Sequence, residues 1–142
     1  MYKLWDTKNE KIVSEQDSSD DMHRICKEAD GMSRIIAVDF DGTICKDRYP
    51  DIGEANETLI NMLVQCQENG EKLILWTCRQ GIFLQEAICF CKAKGLEFDA
   101  VNQNLPEIIE KYGSDSRKIY ADLYLDDRAA TVIWDQKLQF IA

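Results

Sequence analysis

A chain of 142 residues with 45% hydrophobic side chains is long enough to bury one sizeable core, and a single domain spanning 1–142 is expected. Its formal net charge of −9 argues against a protein held to nucleic acid or to an anionic membrane by surplus Lys and Arg. No apolar run approaches the roughly 20 residues that span a bilayer, and residues 1–6 lack the apolar core of a signal peptide, so a cytoplasmic location is expected.

Residues 1–33 read as an extension or as edge elements. Two short strands at 2–5 and 11–13 would flank a Thr7-Lys8-Asn9 turn. A helix would open at Ser18-Ser19-Asp20-Asp21, carry Met22, Ile25, Cys26 and Ala29 at helical spacing, and stop at Gly31. The core is placed at 34–130. Ile35-Ile36-Ala37-Val38 is apolar on both faces, as in a parallel sheet. Beyond it Asp39 and Asp41 are predicted to point to one side of the strand, with Phe40 turned into the core and Gly42 turning the chain.

Residues 45–53 read as a polar connection containing Lys46, Arg48 and Pro50. An amphipathic helix follows at 54–69, with Leu59, Ile60, Leu63, Val64 and Cys66 on its stripe. A second buried strand is expected at 72–77, a second helix at 81–94, and a short strand at 98–101. Asn104-Leu105-Pro106-Glu107 reads as a cap with Pro in the first turn of a short helix to Tyr112. A last strand at 118–126 would place Ile119, Ala121, Leu123 and Leu125 on one face. Strands alternating with helices predict consecutive βα units and an open α/β sandwich. In such sheets the ligand sits beyond the carboxyl ends of the strands, where Asp39, Asp41, Thr77 and Asp126 fall.

The six cysteines (Cys26, Cys45, Cys66, Cys78, Cys89, Cys91) include no Cys-x-x-Cys pair, and the single histidine, His23, is far from them in sequence. They read as reduced thiols acting as small apolar residues. A lone histidine in a polar segment also makes a Ser-His-Asp or Cys-His mechanism hard to build.

Paired carboxylates at a strand end repel one another, and magnesium, which takes oxygen ligands, would relieve that repulsion. Asp39-Phe40-Asp41-Gly42-Thr43, then Thr77, then Lys118, then Asp126-Asp127, each at a strand edge, resemble in order the four motifs of the haloacid dehalogenase superfamily, in its phosphatase form. The resemblance covers residues 35 to about 130. It implies a three-layer, Rossmann-like sheet and a magnesium-dependent phosphomonoester hydrolase. Asp39 would be the nucleophile, Asp41 the acid and base, Thr77 a phosphoryl ligand and Lys118 the balancing charge. Magnesium would be held by Asp39, the Asp41 carbonyl and Asp126, with Asp127 direct or through water. The adjacent acids of motif four leave the choice between Asp126 and Asp127 open.

Only about ten residues separate Thr43 from the next helix, and the roughly forty between Thr77 and Lys118 are filled by core elements, so no cap domain fits. Substrate selection would fall to Gly42, Thr43, Arg48, Cys78 and Arg79, with Lys46 and Arg128 as further candidates. The expected substrate is a small phosphorylated metabolite, a nucleotide or sugar phosphate, and an exposed capless site makes a homodimer an expectation. Two rival readings are a non-catalytic phosphate- and magnesium-binding module, and a phosphoaccepting receiver domain. The receiver is disfavoured because its phosphorylated Asp lies on a later strand than its acidic pair.

Overall fold

The computed structural model describes residues 33–132, together with the backbone of Trp5–Asp6, Lys11–Ile12 and Phe140–Ile141. Near the N-terminus β1 (Trp5–Asp6) pairs antiparallel with β2 (Lys11–Ile12), Trp5 opposite Ile12; the turn expected at Thr7-Lys8-Asn9 lies outside the described residues. The helix expected to open at Ser18, and with it His23 and Cys26, lies outside the described residues.

All four residues of β3 (Ile35–Val38) are buried, as their unbroken apolar run requires. β3 is followed by a hairpin, β4 (Cys45–Arg48) and β5 (Asp51–Ala55), where the sequence predicts only a polar connection. The hairpin escapes the pattern because its strands carry mostly exposed Lys, Asp, Arg and Glu in place of an apolar alternation. Gly53 makes it possible: a Cβ there would stand 2.1 Å from the Lys46 carbonyl oxygen. Helix α1 (Glu57–Glu68) begins at Asn56, whose side chain accepts from the Leu59 N–H at 3.2 Å. Then come β6 (Lys72–Leu75), α2 (Gly81–Ala93), β7 (Ala100–Val101), α3 (Pro106–Tyr112), β8 (Leu123–Leu125) and β9 (Thr131–Val132), the last paired with β10 (Phe140–Ile141).

The fold is α/β, built on a four-stranded parallel sheet in the order β7-β6-β3-β8. Both faces of that sheet are covered. Ile36, Val38, Leu73 and Leu75 form one apolar cluster with Leu59 and Leu63 of α1 and Ala87 and Cys91 of α2. Ile35, Ala37, Ile74 and Ala100 pack on the other face with Leu105 and Ile119, and Ile108 of α3 leans on them. The chain thus steps outward from β3 to β6 to β7, then returns past α3 to place β8 on the free edge of β3. The strand order reverses between β3 and β8, and in open α/β sheets ligands bind at that reversal, outside the carboxyl ends of the strands. Among the described residues, no helix is long and apolar enough to cross a membrane.

Two local expectations change. The final strand contracts from 118–126 to Leu123–Leu125, and its apolar residues divide: Ile119 and Ala121 pack in the second cluster, Leu123 and Leu125 against the first. The Tyr124 hydroxyl holds the preceding segment out of the sheet, donating to the Ile119 carbonyl at 2.6 Å and accepting from the Ala121 N–H at 3.1 Å. Asn104 does not cap α3. Its amide, 1% exposed, donates to Asp115 Oδ1 at 2.8 Å and to the Ser116 carbonyl at 3.2 Å, and its Oδ1 accepts from the Tyr120 N–H at 2.7 Å. Asn104→Ala is expected to lower the unfolding free energy by about 1–2 kcal/mol, since a buried side chain loses its hydrogen bonds while its exposed partners return to water. A urea midpoint equal to that of the wild type would contradict this role for Asn104.

Candidate functional site

Beyond Val38 the backbone leaves the sheet. The Phe40 carbonyl accepts from the N–H groups of Thr43, Ile44 and Cys45 at 3.1, 2.9 and 3.3 Å, closing a tight turn. Phe40 is fully buried and meets Phe90 edge-on, with centroids 5.9 Å apart, as its place between two acids predicts. Asp39 remains tied to β8, its N–H donating to the Leu125 carbonyl at 2.9 Å. The turn sends the two acids to different partners.

Asp39 faces the end of β8. One carboxylate oxygen from each of Asp39, Asp126 and Asp127 lies within 4.8 Å of the others. Burial, followed by the negative charges of Asp126, Asp127 and Asp41, pushes the Asp39 carboxyl up to about 6, against a backbone hydrogen bond at Phe40 that lowers it. Three carboxylate oxygens at one point, one of them on a half-buried group, form a donor set suited to a hard divalent cation such as magnesium.

Asp127 is seated by the first turn. Its N–H donates to Thr43 Oγ1 at 3.1 Å, and that hydroxyl donates to Asp127 Oδ1 at 3.4 Å. Gly42 has a φ of +86°, and a Cβ on it would lie 2.4 Å from Asp127 Oδ2. Gly42 and Thr43, expected on the substrate side, are therefore the seat of Asp127; Thr43 is only 4% exposed. Asp126 is exposed, and its Oδ1 accepts from the Arg128 N–H at 2.9 Å.

Asp41 turns to Arg79, which donates from Nε to Oδ2 and from Nη2 to Oδ1, both at 2.8 Å. Arg79 is 1% exposed, so the expectation that it reads substrate from solvent gives way to a buried ion pair inside the turn. Thr77 follows β6 half-buried; its Oγ1 accepts from the Arg79 N–H at 3.1 Å. Its own N–H donates to Asn102 Oδ1 at 2.8 Å. The sequence reading misses Asn102. Its φ of +53° is a conformation that Asn tolerates better than most residues, and that tolerance is the only signal the residue type offers. Cys78 is exposed beside Thr77, and Arg48 lies on the exposed hairpin, donating to the Asp47 carbonyl at 2.9 Å.

Lys118 is not brought to the acids. It is exposed, with Nζ 5.8 Å from the centre of the Tyr124 ring, and it lines a groove with Tyr112 and Tyr120. With 118–122 outside the sheet, the lysine does not ride a strand toward Asp39, as the predicted strand would have required.

No family model and no curated protein matches the chain. Among solved structures, a conserved protein coded by a locus of Bacteroides thetaiotaomicron is 47% identical and superposes with a TM-score of 0.62, covering 69% of this chain and 78% of that one.

Proposed function

The chain belongs to the family of the conserved Bacteroides thetaiotaomicron protein, and we propose that it is a magnesium-dependent phosphomonoester hydrolase of the haloacid dehalogenase type. The carrying observation is the meeting of Asp39, Asp126 and Asp127 where the strand order reverses. The two covered sheet faces support a three-layer sandwich, and the short hairpin and helices between its strands leave no room for a cap. The substrate class proposed is a small phosphorylated metabolite, a nucleotide or a sugar phosphate.

The Asp39 carboxylate oxygen attacks phosphorus, the bond to the leaving oxygen breaks, and Asp41 gives that oxygen its proton. Asp41 then takes a proton from water, whose oxygen attacks phosphorus; the Asp39–phosphate bond breaks and inorganic phosphate leaves. Thr77 donates a hydrogen bond to a phosphoryl oxygen. Asp39, the Asp41 carbonyl and the Asp126-Asp127 pair would hold magnesium, which when bound offsets charge on the phosphoryl oxygens. At neutral pH a carboxyl pushed up to about 6 is still mostly ionised, as a nucleophile must be.

Asp41→Asn is expected to lower kcat for an alkyl phosphate about 10²–10⁴-fold, the usual contribution of a positioned acid. Phosphate release equal to that of the wild type would contradict the role. One observation favours a second reading, a non-catalytic magnesium- and phosphate-binding module: Lys118 stacks on Tyr124 and leaves the charge beside Asp39 unbalanced. Multiple turnover separates the two.

A further inference from the structure

We propose that Arg79 is a positioning residue whose guanidinium fixes the carboxyl of Asp41 and couples it to the tip of the β4–β5 hairpin. The role rests on the phosphohydrolase reading, because it acts through the proton-transfer group named there.

An arginine that reads substrate keeps donors free and open to solvent. Arg79 has none to spare. Nε and Nη2 form a parallel fork on the two Asp41 oxygens. Nη2 also donates to the Asp51 carbonyl at 2.9 Å, and Nη1 to the carbonyls of Pro50 at 3.1 Å and Phe83 at 3.4 Å. The rings of Phe40 and Tyr49 lie 5.0 and 5.1 Å from its central carbon. The guanidinium therefore joins three segments: the turn after β3, the hairpin tip and the first turn of α2.

Asp41 needs such a hold. It sits on a turn two residues from Asp39, whose charge would drive a free carboxylate outward, and its described side-chain partner is Arg79. A two-bond fork sets the plane of the carboxyl and leaves a lone pair on each oxygen for the moving proton. Lysine, a point charge on a flexible stem, keeps the attraction and loses the plane. Asp39 receives no hydrogen bond from Arg79, so nucleophilic attack does not depend on it directly.

The test uses 4-nitrophenyl phosphate with magnesium, comparing wild type, Arg79→Met, Arg79→Lys, Asp41→Asn and the doubly substituted Asp41→Asn/Arg79→Met protein. Nitrophenolate leaves without a proton, so the first turnover bypasses Asp41, whereas hydrolysis of the Asp39 acyl phosphate requires it. Arg79→Met is expected to keep the first-turnover rate within about threefold and to lower steady-state turnover about 10²-fold. Added to Asp41→Asn, it is expected to cost less than about threefold more, because the two residues act as a unit. Arg79→Lys should fall between, and it carries the same comparison if the Met variant does not fold. An equal loss of both phases, or losses that multiply in the double variant, overturns the role, since an arginine that only supports the fold behaves that way. A folded wild type with no turnover removes the hydrolase reading, whereas Asp41→Asn turning over like an active wild type leaves that reading standing and removes the roles of Asp41 and Arg79.

Discussion

Asp39→Asn is expected to lower turnover on any phosphomonoester by about 10⁴-fold or more, the scale on which loss of a covalent nucleophile is felt. The same substitution is expected to raise the stability of the metal-free protein above about pH 6. The sign follows from the direction of the shift. The folded-state carboxyl is pushed up to about 6 from an ordinary 3.8. Between those values the native state holds the proton that the unfolded chain has released, so stability falls as pH rises through that window and stays reduced above it. Asn carries no charge to be repelled by Asp126 and Asp127, so it escapes that loss. Below pH 3.8, with the carboxyl protonated in both states, the two proteins should converge. Magnesium should reverse the ranking, raising the melting temperature of wild type and hardly that of the variant. Thermal melts across pH 3.5–8, with and without magnesium, measure all of this. A wild type more stable than Asp39→Asn in chelator at pH 8 would contradict the account of Asp39.

Gly42→Ala is expected to damage the candidate metal site with a single methyl group. The backbone at Gly42 has a φ of +86°, which costs an L residue about 1–2 kcal/mol. The new Cβ would also stand 2.4 Å from Asp127 Oδ2, so that carboxylate must move away from Asp39 and Asp126. Half-saturating magnesium should rise about tenfold or more, which corresponds to about 1.4 kcal/mol of lost binding. Titration of magnesium against activity and against melting temperature checks both effects. A magnesium curve that superimposes on the wild-type curve would show that Asp127 does not hold the metal.

What the sequence made legible follows from the kind of signal each element carries. Ile35–Val38 and Lys72–Leu75 are readable because a strand buried on both faces has no polar residue to confuse the pattern, and α1 because of its apolar stripe and the stop at Gly70, although it begins at Glu57 behind Asn56 and not at Glu54. The rule that parallel strands end at one edge places Asp39, Asp41, Thr77 and Asp126 together, and the resemblance adds Asp127; of these the carboxylates of Asp39, Asp126 and Asp127 do meet. The β4–β5 hairpin was not legible, because its stabilising contact, the close approach of Gly53 to Lys46, leaves no apolar alternation. Thr43 and Arg79 were legible as neighbours of the motifs but not in their partners. That a hydroxyl seats Asp127, and that a guanidinium turns inward to Asp41, depends on contacts between residues 84 and 38 positions apart. Lys118 was misplaced because apolar alternation through Ile119 and Ala121 imitates a strand, while Tyr124 holds that segment outside the sheet.

The most direct measurement is release of inorganic phosphate from 4-nitrophenyl phosphate by the wild-type protein, once with magnesium and once with excess chelator. Sustained turnover with the metal, lost in chelator and restored by added magnesium, is the expected result. A folded protein whose melting temperature rises with magnesium, yet which releases no phosphate from this ester or from a panel of nucleotides and sugar phosphates, would contradict the hydrolase and leave the binding module in its place.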